Sequence, residues 1–173
     1  MKQSLSVALG LSGLLVLAGC AADAPEESVE QALAVAEGCT PSGAEVESIA
    51  ISGEFGATPS VTFDAPLSAV VTQRSVIIEG DGPEVQDGDI LSIDYSLYNA
   101  STGDLIEESG YTEVSPTVLT LDTDAPNFVG VSLTAACSTV GSRVAGLIPP
   151  LEAFGPDGAP EFGLGAGESL IFI

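Results

Sequence analysis

The chain has 173 residues, 45% of them hydrophobic, which is enough to bury one ordinary core and not two. Three Lys and Arg stand against 25 Asp and Glu, a formal net charge of −22. No basic surface exists to displace counterions from a nucleic acid or to dock on anionic lipid headgroups. Histidine is absent, which excludes Ser-His-Asp and Cys-His relays and the usual His-rich zinc site.

In chain order, Lys2 precedes an apolar run over 5–17, too short to span a bilayer and of the length of a signal-peptide core. The run closes in "LAGC", Leu17 to Cys20, which resembles a bacterial lipobox. Residues 1–19 are then a lipoprotein signal peptide, and Cys20 receives the lipid. A single anchor of this kind tethers a protein to a membrane without spanning it, here on the extracytoplasmic face of the cell membrane. Loss of Lys2 leaves Arg74 and Arg143 as the only cations of the mature chain. Residues 20–43 are rich in Ala and Glu, with little large apolar surface. They read as the lipidated Cys and a flexible tether, with at most a turn or two of helix over 26–36. Outside the cytoplasm Cys39 and Cys137 form an even pair and are expected to bridge. The other option is Cys137 as a small buried hydrophobe on a helix.

Residues 44–173 form the folded domain. From Val46 onward short strand-like runs alternate with turns. "LSIDYSL" at 91–97 places Leu91, Ile93, Tyr95 and Leu97 on one face and Ser92, Asp94 and Ser96 on the other. The turn "QDGD" precedes it and "NASTGD" at 99–104 follows it, so the next strand folds back antiparallel. "SVIIEG" at 75–80, "TVLTL" at 117–121, "RVAGLI" at 143–148 and "SLIFI" at 169–173 are further strands. The one convincing helix covers 129–137, with Val129, Leu133 and Cys137 or Ala136 as its apolar stripe. These elements make an α+β domain: an antiparallel half-barrel sheet of five or six strands wrapped around one short helix. The sequence stops at Ile173 within an apolar strand, so the domain reads as cut in its last strand. The acidic stretches "EGDGPEVQDGD" and "TLDTDAPN" lack calcium-loop spacing and read as solvated turns, and no metal or cofactor is expected.

From about Val70 to Ile173 the ordered segments resemble the FK506-binding-protein (FKBP) type of peptidyl-prolyl cis-trans isomerase. The resemblance rests on "GDGPEVQDGDILSIDYSLYNASTGDLIEES", "PNFVGVSLTAACSTVGSRV", "LIPPLEAFGPDG" and "ESLIFI". The lipobox, "SGEFGATPSVTF" and the cysteine of "AACSTVGSR" are similar to FKBP-like lipoproteins of high-GC bacteria, in which two such domains often stand in tandem. The resemblance implies a pocket lined by Tyr95, Ile106, Leu119, Phe128, Val131, Phe154, Leu164 and Phe172. In it Thr117 takes the place of a pocket Phe, the Phe128 N–H binds a peptide carbonyl, and Glu107 stands at an acidic position. Proline-containing polypeptides are the implied partners, and macrolides the implied inhibitors.

The implied chemistry needs neither nucleophile nor proton relay. An X–Pro bond is held planar by resonance with a barrier of about 18–20 kcal/mol. A dry apolar cavity disfavours the planar dipolar ground state relative to the twisted transition state. The departures are Val131 where the family has Trp, Phe154 where it has Tyr, Ile106 and Thr117 where it has Phe, and Glu107 for Asp. They leave open a catalytically weak or silent peptide-binding module of the same fold. A β-sandwich spacer or adhesion domain is a third reading, distinguished by having no central helix packed on its sheet.

Overall fold

The computed structural model describes residues 38–111 and 117–173. The signal peptide 1–19, the lipidation site Cys20 and the tether as far as residue 37 lie outside the described residues. The elements in chain order are α1 (Ala44–Glu47), β1 (Ala50–Ser52), β2 (Ser60–Thr62), β3 (Gln73–Ile78), β4 (Ile90–Ile93), β5 (Ser96–Asn99) and β6 (Leu105–Glu108). They continue with β7 (Thr117–Thr120), α2 (Val129–Ala135), β8 (Arg143–Ile148) and β9 (Leu170–Phe172). Five strands form one sheet in the order β3-β8-β9-β5-β6, while β4 pairs with β7 and β1 with β2. Every pairing is antiparallel. The domain is α+β, with α2 packed on its sheet.

β9 shows how the sheet serves two cores. Leu170 and Phe172 point into a cluster with Leu97, Val131, Ile148 and Ala153 on the helix side. Ile171 and Ile173 point into a second cluster with Val46, Ile49, Ala145 and Leu147. This is the period-2 alternation of a strand buried on both faces. The second cluster is closed by α1 and the β1–β2 hairpin, through Ile51, Val61 and Phe63. The buried Arg143 guanidinium holds the loop of that hairpin by donating to the carbonyls of Gly53, Glu54 and Ala57 at 2.7–2.8 Å.

Two expectations are corrected. The run 91–97 is not one strand: β4 ends at Ile93 and β5 begins at Ser96. The break is held by Ser109, whose hydroxyl donates to Asp94 at 2.9 Å and accepts from the Tyr95 N–H at 3.0 Å. β5 is therefore free to pair with β6 and β9 while β4 pairs with β7. The alternation of faces ends there, since Ser96 and Leu97 are both buried.

The helix also ends two residues early, and its buried face is not the Val129–Leu133 stripe. Gly130, Val131, Ser132, Thr134 and Ala135 are the buried positions. A Cβ at Gly130 would collide with the Ile148 side chain, and one at Gly146 with that of Thr134. α2 thus approaches β8 through its smallest residues, and Leu133 is left half-buried. The chain leaves α2 through an extended Ala136 and a left-handed Cys137 (φ 57°). Cys137 forms a disulfide with Cys39, Cα to Cα 5.9 Å. The bridge ties in the last residues of the segment read as tether, as do hydrogen bonds from Thr40 Oγ1 to the Leu133 carbonyl and from the Arg74 N–H to the Pro41 carbonyl.

Candidate functional site

Phe172 of β9 and Val131 of α2, 6% and 4% exposed, form the floor of an apolar cluster on the helix side of the sheet. Half-buried Ile93, Tyr95, Ile106, Leu119 and Phe128 pack around them. Each element contributes for a local reason. β6 folds back on β5 after the 99–104 turn, which carries Ile106 and Glu107 beside Leu97. β7 pairs with β4 residue for residue, which sets Leu119 opposite Leu91. Phe128 precedes α2 in a left-handed conformation (φ 57°), an uncommon one for an aromatic residue. Its N–H makes no hydrogen bond to other described residues.

At the break between β4 and β5, Tyr95 stacks on Phe172 with centroids 6.4 Å apart, and its hydroxyl donates to Glu107 Oε1 at 2.8 Å. Burial, and then the hydrogen bond and negative charge of Glu107, push the Tyr95 phenol above the usual tyrosine range, so the hydroxyl stays protonated and donating at neutral pH. The pair is the polar edge of an otherwise apolar cluster.

The arm after β8 closes the other side. Pro149 and Pro150 open a 3₁₀ turn over Pro150–Glu152, and the Gly155 N–H donates to the Pro150 carbonyl at 2.7 Å. Ala153 is buried in the floor cluster. Glu152 Oε2 accepts from the N–H and the hydroxyl of Thr72, at 2.9 and 2.6 Å, which latches the arm to the chain ahead of β3. Fixed on both sides in this way, the turn holds Phe154 outward at 37% exposure. Its ring lies 4.8 Å from that of Phe128 and 6.1 Å from that of Phe162, which is itself 53% exposed.

Of the residues the sequence points to, Tyr95, Ile106, Leu119, Phe128, Val131 and Phe172 share this cluster, Glu107 joins it through Tyr95, and Phe154 through Phe128. Thr117 stands at the start of β7, opposite Ile93. Leu164 is 1% exposed, is bridged to Ala159 and does not belong to the cluster of Val131 and Phe172. Ala153, Phe162 and the Thr72–Glu152 latch also build the site without being singled out by the sequence, and so does Ile93, which the sequence marks only as part of a strand face. Phe162 sits in a short proline-led turn with no periodic pattern around it, and hydrogen-bond partners 80 residues apart leave no local signal. Among the described residues no group of three or more His, Cys, Asp or Glu is placed to hold a metal, and no helix is long and apolar enough to cross a membrane.

The chain matches no protein-family model, and no curated protein is significantly similar to it in sequence. Among solved structures it is similar to the N-terminal domain of FKBP42 from Arabidopsis thaliana, at 19% identity and a TM-score of 0.54, over 67% of this chain and 91% of that one. It is also similar to the three FKBP domains of wheat FKBP73, at 16% identity and a TM-score of 0.52, over 65% of this chain and 48% of the wheat chain. The fold is that of an FKBP domain. In this FKBP-like domain α2 packs on β8, an arrangement a two-layer β-sandwich does not have, so the β-sandwich architecture of the third reading is overturned. The FKBP-like architecture also accounts for the glycine that opens α2: it lets the helix meet Ile148 and the backbone of Glu152 where the arm begins.

Proposed function

We propose that the chain is a peptidyl-prolyl cis-trans isomerase, held by a lipid on Cys20 outside the cytoplasmic membrane, that assists folding of exported polypeptides. The observation that carries the reading is the Phe154–Phe128 contact over the apolar floor of Val131 and Phe172. A prolyl ring seated there leaves water, and rotation about its X–Pro bond is favoured because the twisted amide has less charge separation than the planar one. The Phe128 N–H, which has no hydrogen-bond partner among the described residues, supports capture of the carbonyl that precedes the ring, and the Tyr95–Glu107 pair marks the polar rim. The test is isomerisation of a chromogenic tetrapeptide with one X–Pro bond, with and without a macrolide. Acceleration that the macrolide suppresses is the expected result; a rate equal to the uncatalysed one would count against it. Incorporation of labelled fatty acid, lost in Cys20→Ala, tests the anchor.

A second reading, a domain that grips proline-containing segments without turnover, is favoured by Phe154, which brings no hydroxyl to the site, and by Val131, which lies almost wholly beneath its neighbours. Peptide binding without acceleration selects it.

A further inference from the structure

Thr72 and Arg74 stand two positions apart at the start of β3, and each reaches a different wall of the candidate site. Gln73 between them points to the opposite side, where its amide accepts from the Val46 N–H and donates to Glu45. Thr72 reaches the arm: its N–H and its hydroxyl both donate to Glu152, two residues before Phe154. Arg74 reaches the far end of α2. Its Nε donates to the Thr134 carbonyl at 3.2 Å and its Nη2 to Ser138 Oγ at 2.8 Å, on either side of the bridged Cys137. Neither acceptor is a carboxylate, and burial lowers the Arg74 pKa from the ordinary arginine value. In a chain with 25 Asp and Glu, this half-buried cation is aimed by two neutral acceptors and not by an acidic partner.

We propose, resting on the isomerase reading, that Thr72 and Arg74 are positioning residues that set the opening between Phe154 and Phe128. The arm carries Phe154, while α2 carries Val131 and is preceded by Phe128. α2 meets the backbone of Glu152 at Gly130 and packs on β8 at Thr134, and Arg74 fixes its carbonyl end. The partners lie 80 residues from Thr72 and 60 from Arg74, yet both anchors rise from one strand paired with β8 from Gln73 to Ile78. A rigid base of this kind holds the two walls in one piece. A displacement of about 1 Å between groups that seat a substrate can cost about a hundredfold in rate, so the spacing of the rings is what such a base protects. The planar guanidinium meets two acceptors at once in fixed directions, which a lysine ammonium does not.

The test pairs kinetics with a readout of the rings. Thr72→Val removes the hydroxyl donor and Thr72→Ser keeps it, while Arg74→Lys keeps the charge and loses the fork. With fluorine-labelled phenylalanine in the full chain, Thr72→Val and Arg74→Lys are each expected to move the Phe128 and Phe154 resonances and to leave that of Phe172 in place. On a chromogenic X–Pro tetrapeptide each is expected to lower kcat by about fivefold or more, with KM changed by less than about twofold. Thr72→Ser is expected to recover most of what Thr72→Val loses. The proposal is overturned if Arg74→Lys matches the parent in both readouts, or if Thr72→Ser falls as far as Thr72→Val. It is overturned equally if the Phe172 resonance moves with the other two, which marks a general loosening of the core. Should Arg74→Lys fail to fold, the two Thr72 variants decide alone. A parent chain that does not accelerate isomerisation removes the isomerase reading, and the fluorine resonances still decide whether β3 sets the spacing of the rings.

Discussion

The Phe154 ring meets the Phe128 ring at 4.8 Å between centroids, tilted by 56°. One ring comes from the arm after β8 and the other from the residue ahead of α2, so the contact closes the site from two elements that share no local sequence. Phe154→Ala is expected to lower kcat/KM on an X–Pro peptide by about tenfold or more, the loss of about 1–2 kcal/mol of apolar and aromatic contact. Because Phe154 is 37% exposed, its Tm should shift by only a few degrees. Phe154→Tyr is expected to raise kcat/KM. Equal kcat/KM for all three chains would remove the arm from the site.

Tyr95 and Glu107 give a second check at the opposite rim. Tyr95→Phe and Glu107→Gln each disturb the 2.8 Å hydrogen bond between them while leaving the Tyr95–Phe172 stack in place. Each is expected to change kcat/KM by a few-fold, about 1 kcal/mol or less, and the double variant should cost no more than the larger single one. Additive effects in that cycle would show that the pair does not act as a unit.

The close packing of α2 on β8 predicts a large stability effect from one methyl group. Gly146→Ala drives a Cβ into Thr134 and is expected to cost about 2–3 kcal/mol by urea unfolding. Adding Thr134→Ala should recover part of it, because the hydroxyl and methyl of Thr134 are two of the three nearest atoms. No recovery would place the strain elsewhere.

The Cys39–Cys137 bridge closes a loop across a sequence separation of 98. Reduction, or Cys137→Ser, is expected to lower stability by about 4 kcal/mol in the chain-entropy account. Thermal unfolding with and without reductant measures it, and an unchanged Tm would contradict it.

Burial pushes the phenols of Tyr95, Tyr98 and Tyr111 upward. A phenol that ionises later in the folded state than in the unfolded state keeps the native state more protonated between the two values. Its stabilisation is therefore complete below about pH 10 and is lost as pH rises through the folded pKa. The urea midpoint is expected to fall above pH 10, and Tyr111→Phe should flatten part of that fall. A midpoint constant from pH 9 to 12 would show that the tyrosines titrate alike in both states.

Much of the sheet is legible in the sequence because its strands are bounded by strong turns. The 143–148 strand and the antiparallel return after the 99–104 turn need only pattern and punctuation, whereas the Cys39–Cys137 bridge was the favoured of two readings and rested on setting Cys20 aside. The break at Asp94 was hidden, since the residue that makes it, Ser109, lies 15 positions away from Asp94. The packing face of α2 was hidden for a different reason. Apolar periodicity points to Leu133, but the approach to β8 is made by Gly130 and Thr134, whose smallness is the signal and carries no hydropathy. The β1–β2 hairpin, with three residues in each strand, is too short for alternation to mark. At the site, the order of motifs brought Phe128, Val131 and Phe154 to notice, while the Thr72–Glu152 latch that fixes the arm is visible only in three dimensions.

The Arg143 anchor carries a consequence for where such a protein can work. Its acceptors are three main-chain carbonyls, none of which gains or loses a proton over any accessible acidity, and its side chain is buried. In a chain so crowded with carboxylates, the attachment of the hairpin to the sheet is therefore independent of their ionisation, and brine or mild acid should leave that joint intact.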